Sequence, residues 1–179
     1  MDYTLRKAGV GDIPALQVLI ESSVRGLQSE DYTPTQIDLA LQTAFTVDTQ
    51  LIEDGTYFVV EQDGQLLGCG GWSHRKTLCG GDHHAMHQDI LLDPSQDAAK
   101  IRAIFVHPKW ARHGIGSFLL KAAEDAAQSA GFRRLEMGAT LTGVPLYLLN
   151  GYRVVERIEV PLKDGVTLPV VRMAKEILE

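Results

Sequence analysis

The sequence predicts a single α/β or α+β domain, built on a mixed β-sheet with helices on both faces. Three observations lead to this prediction. The 179 residues are the length of one ordinary domain, and segments of strand and helix periodicity alternate along the chain. A strand–helix–strand unit lies between antiparallel hairpins, which is the pattern of a mixed sheet. We therefore treat residues 1–179 as one domain.

The first half of the chain predicts a strand, two helices and a hairpin. Asp12 precedes apolar residues at helical spacing and is expected to cap the first helix, and Pro34 is expected to open the second. Asp63–Gly64 lies between two strand-like runs, which is the strongest short signal for a hairpin. In chain order these elements are expected at residues 3–8, 10–27, 35–45, 56–62 and 65–75.

The second half predicts the strand–helix–strand unit, a short helix and a closing hairpin. A polar, irregular stretch at residues 79–97 is expected to be a loop. Gly131 and Gly151 follow the two helices, as glycine often does where a helix ends, and Lys163–Gly165 supplies the last turn. These elements are expected at residues 98–106, 114–130, 133–139, 142–150, 152–162 and 167–177.

Charge and composition exclude several classes of protein. The formal net charge of -6 argues against general nucleic-acid binding, which needs a basic surface. No apolar run reaches membrane-spanning length, and the first residues lack the features of a signal peptide. Cys69 and Cys79 do not make the cysteine framework of a secreted protein. We expect a cytoplasmic protein with neither a membrane nor a nucleic-acid partner.

The segment "ARHGIGS" follows a predicted strand and opens a predicted helix. A helix N-terminus presents unpaired N–H groups and the positive end of the helix dipole, and glycine lets a ligand approach the backbone. We interpret the segment as an anion cradle, with a ligand-free tight turn as the alternative. The segment does not match the P-loop pattern GxxxxGK[ST], because it has no Lys-Ser or Lys-Thr pair. It does not match the dinucleotide-binding pattern GxGxxG either, because Leu119 stands where the third glycine is required. The amides expected to donate belong to Arg112, His113, Gly114, Ile115, Gly116 and Ser117.

Two longer stretches carry a resemblance to a known family. Residues 104–137, "IFVHPKWARHGIGSFLLKAAEDAAQSAGFRRLEM", resemble the central motif of the GNAT superfamily of acyl-CoA-dependent N-acetyltransferases, and "VPLYLLNGYRVV" resembles its later motif. The resemblance implies the GNAT fold and direct transfer of an acetyl group from acetyl-CoA to a primary amine. A catalytically silent acyl-CoA-binding module on the same fold is the alternative.

The resemblance also implies where the co-substrate binds. The pyrophosphate of coenzyme A is expected on the six amides of the turn, and the pantetheine arm along Ile104, Phe105 and Val106, beside a bulge in that strand. The Val106 N–H is then expected to polarise the thioester carbonyl. Ala111 and Thr140 depart from the family pattern, which usually has Gln or Arg at the first position and often has Asn at the second.

Tyr147 matches the family's general acid, which protonates the departing thiolate. A proton must also leave the amine, and the base stays open among residues of two loops: Glu30, Asp31, Tyr32, Asp82, His83, His84 and His87. No metal is implied, so the stretch Asp82–Asp89 is interpreted as a solvated loop rather than as a metal site. Cys69 is not expected to be a nucleophile, because no activating partner is visible near it.

The remaining features concern the acceptor and the assembly. Gly70 and Gly71 lie inside a strand and indicate a bulge or a close backbone approach. Trp72 beside them belongs either to the wall of the acceptor pocket or to the core. The acidic balance favours a small cationic amine over a protein or peptide acceptor. The exposed strand edge of the closing hairpin leaves a homodimer open.

Overall fold

A computed structural model describes residues 2–82 and 90–178 of the chain. Its strands are β1 (Thr4–Lys7), β2 (Tyr57–Gln62), β3 (Gln65–Ser73), β4 (Ala99–Val106), β5 (Arg134–Thr140), β6 (Arg153–Pro161) and β7 (Thr167–Glu176). Its helices are α1 (Ile13–Leu27), α2 (Pro34–Gln42), α3 (Thr49–Glu53), α4 (Ile115–Ser129) and α5 (Val144–Leu149).

In the described chain the strands form one seven-stranded sheet in the order β1-β2-β3-β4-β5-β7-β6. Strands β4 and β5 are parallel, because the chain crosses over between them through α4, and the other neighbours are antiparallel. The sheet is therefore mixed, as predicted.

The two faces of the sheet are covered by different helices. Residues of α1, α2 and α3 pack with Val59, Cys69 and Phe105 in one buried cluster. Residues of α4 pack in two further clusters, one of which contains the neighbouring strand residues Val60 and Leu67. Successive strand residues point to opposite faces, so the helices lie on both sides of the sheet.

Two local predictions in the first half of the chain were wrong. Asp12 does not cap α1 with its side chain; instead its carboxylate accepts hydrogen bonds from Arg6 (both 2.8 Å) and from the Gly9 amide (2.7 Å). The second helix ends at Gln42 rather than at residue 45, and the five-residue helix α3 was not predicted. Asp48 caps α3 by accepting from the Leu51 amide at 3.3 Å.

Strand β4 contains one extra residue relative to β3. Arg102 lies opposite Gly71 and Phe105 opposite Cys69, so the two intervening residues of β4 face only Gly70. Ala103 has a φ of 54°, and Ile104 fills the space beside Gly70, where a Cβ atom would approach Ile104 Cγ1 to 2.8 Å. Gly71 lies against the Thr56 carbonyl. The expected bulge and the expected close approach are both present.

Candidate active site

The segment Arg112–Ser117, called the glycine turn from here on, combines two left-handed residues with a helix start. Arg112 has a φ of 64° and Gly114 a φ of 84°, and Gly114 is the N-cap of the 15-residue helix α4. Such alternation turns successive N–H groups toward a common point and makes an anion-binding concavity. Gly114 is a glycine for its conformation, since a Cβ atom there would meet nothing within 4 Å.

Six consecutive amides in the glycine turn, those of residues 112–117, have no intramolecular acceptor among the described residues. The preceding amides of Trp110 and Ala111 bond to His107 and Pro108, and the Phe118 amide begins the helical ladder by bonding to Gly114. The side chains of Lys109 and Arg112 are exposed and have no acidic partner in the described chain. The turn is therefore a basic, donor-rich site on an acidic protein.

Gly116 is a glycine for a different reason. A Cβ atom there would lie 3.1 Å from Leu146 Cδ2, so the first turn of α4 packs directly on α5. Asn150, just after α5, donates from Nδ2 to Ser117 Oγ at 3.2 Å and to the Leu146 carbonyl at 2.8 Å. The glycine turn and the helix that carries Tyr147 are thus joined by packing and by a hydrogen bond.

Strands β4 and β5 are separated at the end of β4 that leads to the glycine turn. They pair only at Ala99–Leu135 and Lys100–Glu136. The Lys100 ammonium bonds to the Glu136 carboxylate, which also accepts from Arg172 at 2.9 Å. Burial opposes ionisation of Glu136, but hydrogen bonds and charges from these two cations leave its pKa below the ordinary value. An ion cluster therefore closes the narrow end of the gap.

The open side of the gap exposes backbone groups of β4. The His107 amide donates to the Leu67 carbonyl of β3 at 2.8 Å. Because N–H groups alternate along a strand, the Val106 amide points away from β3 and toward β5, where the two strands no longer pair. An N–H directed into a gap between strands is available to a ligand.

A cavity of about 80 Å³, called the wedge cavity here, occupies the separation. Ile104 and Phe105 line it, whereas Val106 lies just beyond it, with Cγ2 3.8 Å from the position of a Cβ on Gly116. Residues of both the α1 face and the α4 face contribute to the wall. The cavity therefore lies where the separation of the strands connects the two sides of the sheet.

Tyr147 lines the wedge cavity and is 8% exposed. Its ring meets the Tyr152 ring edge to face, with centroids 5.9 Å apart, and among the described residues its hydroxyl has no hydrogen-bond partner. Burial raises the pKa of this phenol above its ordinary value. The hydroxyl is therefore protonated at neutral pH and free to donate.

The candidate bases lie in different places. The Tyr32 hydroxyl donates to the Pro169 carbonyl (2.7 Å) and accepts from the Leu141 amide (2.9 Å), and burial raises its pKa to about 12. Asp82 holds the Thr49 amide and hydroxyl, both at 2.8 Å, while Asp31 accepts from Thr142 Oγ1 at 2.6 Å. Glu30 is exposed. His83, His84 and His87 lie outside the described residues.

Three other predicted features are also placed. Trp72 is 6% exposed and packs edge to face on Phe132, so it belongs to the core and does not line the wedge cavity. Cys69 is fully buried, and burial raises its pKa to about 12, which does not suit a nucleophile. Thr140 accepts from the Gly143 amide at 3.1 Å and so stabilises the turn into α5.

Sequence reasoning missed a buried ion pair at the wedge cavity. Arg102 donates to Asp48 at 2.6 Å, and both side chains are almost completely buried. The same guanidinium donates to the carbonyls of Thr77 (3.2 Å) and Gly80, on either side of Cys79. A charged residue inside the apolar strand "AAKIRAIFV" was the available signal, since a buried arginine requires a partner.

The bulge of β4 and the glycine turn that opens α4 are the two backbone features that the sequence resemblance implied for acyl-CoA-dependent N-acetyltransferases. The model of the acetyltransferase (GNAT) family matches residues 22–152, which is most of the chain. The chain belongs to this family, and it is an acyl-CoA-dependent N-acetyltransferase. A search of curated proteins finds no matching relative.

Solved structures share the fold at low sequence identity. A GCN5-related N-acetyltransferase from Rhodopseudomonas palustris is 18% identical, with a TM-score of 0.73 over 99% of this chain and 97% of that one. PaiA N-acetyltransferase from Thermoplasma acidophilum, in complex with coenzyme A, is 16% identical (TM-score 0.67; 98% and 99% covered). YncA from Salmonella typhimurium, with its cofactor acetyl-CoA, is 19% identical (0.64; 100% and 96%).

Within residues 2–82 and 90–178, no helix combines the length and the apolar character that crossing a bilayer requires.

Proposed function

We propose that this protein transfers an acetyl group from acetyl-CoA directly to the primary amine of a small cationic molecule. The observation that carries the proposal is the run of six amides in the glycine turn that find no acceptor within the described part of the chain. Unpaired donors at the positive end of a helix favour a phosphate group. Lys109 and Arg112 add positive charge, although the chain as a whole is acidic.

The co-substrate supplies the acetyl group as a thioester, and the fit of this chain to it can be argued from its own groups. The amides of residues 112–117 would hold the pyrophosphate. The pantetheine arm would extend along Ile104, Phe105 and Val106, which lie beyond the last residue pair that joins β4 to β5. The thioester would then lie at the mouth of the wedge cavity.

Two groups of the chain carry the chemistry in this proposal. The Val106 N–H donates to the thioester carbonyl oxygen, which stabilises the negative charge that develops there. The Tyr147 hydroxyl gives its proton to the departing sulfur. A nitrogen–carbon bond forms, the carbon–sulfur bond breaks, and the proton that the amine loses balances the one that Tyr147 gives. No side chain is assigned as the base.

A groove of about 570 Å³ supports a small cationic acceptor. It shares Phe45 and Thr46 with the wedge cavity, so the two spaces adjoin. Of the residues that the structure describes, three carboxylates line it, and one guanidinium, Arg25, is bonded to two of them, Glu21 (3.0 Å) and Asp38 (2.9 Å). The excess of negative charge favours an ammonium group over an anion.

The experiment measures thiol release from acetyl-CoA over a panel of amines, with wild type and Tyr147→Phe side by side. We expect the variant to lose about 100-fold or more in kcat while its affinity for coenzyme A is unchanged. Tyr152→Phe is the matched control, because Tyr152 touches Tyr147 but bonds to Glu124 at 2.9 Å and does not line the wedge cavity. Equal turnover in wild type and Tyr147→Phe would remove Tyr147 from the mechanism. Thiol release with none of the amines, in a protein that binds coenzyme A, would favour the catalytically silent module.

A further inference from the structure

The wall of the wedge cavity contains one thiol, that of Cys79, which is partly exposed. Cys79 lies over Gly138 of β5, where a Cβ atom would lie 3.1 Å from Cys79 Cβ and 3.2 Å from Sγ. Gly138 comes two residues after Glu136, the last β5 residue that pairs with β4. The thiol therefore lies close to the narrow end of the gap.

Cys79 is held firmly although it belongs to no strand or helix. Its segment, Thr77–Gly81, is anchored on both sides of the thiol by Arg102, which bonds to the Thr77 and Gly80 carbonyls. The buried partner Asp48 holds the guanidinium in turn. The Gly81 amide donates to the Ala44 carbonyl at 3.1 Å, and Gly81 packs tightly on Thr46. A wall supported in this way does not yield easily to a larger substituent.

The chemistry of the thiol suits a passive wall. Burial raises the pKa of Cys79, an effect that the nearby Arg102 charge opposes only in part. The neutral thiol is thus the dominant form at physiological pH, and it is a small, uncharged and polarisable surface. Its role follows from the room it occupies rather than from nucleophilic attack.

We infer that Cys79, seated on Gly138, limits the length of the acyl group that the wedge cavity accepts, and so makes the protein selective for acetyl over longer acyl thioesters. This inference rests on the proposed function, because the acyl group must enter this cavity. The cavity narrows where β4 and β5 come together, and Cys79 lies near that end, so an acyl chain longer than acetyl would meet the thiol. One methylene that does not fit a rigid pocket changes selectivity by about 10-fold to 200-fold.

The test compares acetyl-, propionyl- and butyryl-CoA in wild type, Cys79→Ala and Gly138→Ala, both as kcat/KM with one amine and as Kd by calorimetry. In Cys79→Ala we expect the propionyl-to-acetyl ratio of kcat/KM to rise about tenfold. In Gly138→Ala the added methyl group stands in the cavity wall beside the thiol and takes up room there, so the ratio should fall. Cys69→Ala is the control, because Cys69 is the other cysteine but does not line the cavity.

The two readouts separate the inference from the function on which it rests. Ratios in Cys79→Ala and Gly138→Ala equal to the wild-type ratio, in enzymes that turn over acetyl-CoA, would overturn the role of Cys79 alone. Wild-type protein that binds acetyl-CoA and acetylates no amine would overturn the proposed function, and the Kd ratios would still test the wall. A Cys79→Ala variant that does not fold leaves the test to Gly138→Ala, which must discriminate more strongly against propionyl-CoA.

Discussion

The glycine turn and the segment Thr77–Gly81, called the Cys79 segment here, are both irregular and both lie beside strand β4. They are nevertheless built in opposite ways. The glycine turn offers backbone amides, and its shape comes from two left-handed residues and the start of α4. The Cys79 segment offers side chains, and its position comes from Arg102 and Asp48, which are distant in sequence. A site made of backbone can be recognised locally, whereas a wall made of side chains depends on partners elsewhere in the chain.

The largest effect is expected where the Cys79 segment depends on its buried ion pair. Asp48→Ala leaves Arg102 charged and buried without its carboxylate, so the free energy of unfolding should fall by about 3–5 kcal/mol. Urea denaturation measures this change. The control is Asp125→Ala, which breaks an exposed pair with Lys121 and should change stability little. Equal losses in the two variants would show that the segment does not depend on Asp48.

The glycine turn should respond to a change in backbone conformation. Gly114→Ala places a Cβ atom on a residue with a φ of 84°, which costs about 1–2 kcal/mol. We also expect weaker binding of coenzyme A, measured by calorimetry, because the amides lose their alignment. Gly64→Ala, at a φ of 78° in the distant hairpin turn, should lose similar stability but keep its affinity. A Gly114→Ala variant with wild-type affinity would contradict a site made of aligned amides.

A smaller effect should separate the two glycines of the turn. Gly116→Ala brings a methyl group to 3.1 Å from the mobile end of Leu146, while alanine gains about 1 kcal/mol of helix propensity over glycine. Stability should therefore change little. Because α5 carries Tyr147, we expect the shift to lower kcat severalfold with coenzyme A affinity intact. A loss of affinity without a loss of kcat would mean that Gly116 serves the cofactor rather than α5.

The smallest expected effect is a loss of stability in alkaline solution. It arises from a tyrosine side chain, because the backbone amides that make up the glycine turn do not titrate. Folding raises the pKa of Tyr32 from an ordinary value near 10 to about 12. The unfolded chain then loses this proton first, so the contribution to stability is present below pH 10 and is lost between about pH 10 and 12. The free energy of unfolding, measured by urea denaturation at several pH values in this range, should fall less steeply with pH for Tyr32→Phe than for wild type. An unchanged slope would exclude Tyr32 as its source.

Most of the fold followed from the sequence because its signals are local. The strand boundaries agree with the prediction to within a residue or two, and apart from α3 the order of elements was also expected. The bulge of β4 was expected only from the family resemblance. The glycine turn could be recognised because its glycines, its preceding strand and its helix are contiguous. Helix α3 was not predicted because five residues are too few to show a helical period. Its N-cap, Asp48, also binds Arg102.

The walls of the wedge cavity could not be predicted for a related reason. Cys79 and Gly138 are brought together only by the folded sheet, and nothing in the sequence near either residue indicates the other. The contact between Gly116 and Leu146 is of the same kind, because the sequence near Gly116 gives no sign that α5 packs against it. The local sequence pattern identifies backbone donors and helix ends, whereas packing partners can be identified only from the tertiary structure.

The extra residue in β4 changes the face of the sheet toward which each later residue of the strand points. Every position after Ala103 is shifted by one step relative to its opposite number on β3, so residues that simple alternation would assign to one face emerge on the other. A chain shortened by that single residue would restore regular pairing with β3 and would leave Val106 opposite Gly68, where it is now. The bend and the added twist that the bulge gives to β4 would be lost. The strand would then continue alongside β5, and the Val106 N–H would meet a strand partner instead of an open gap.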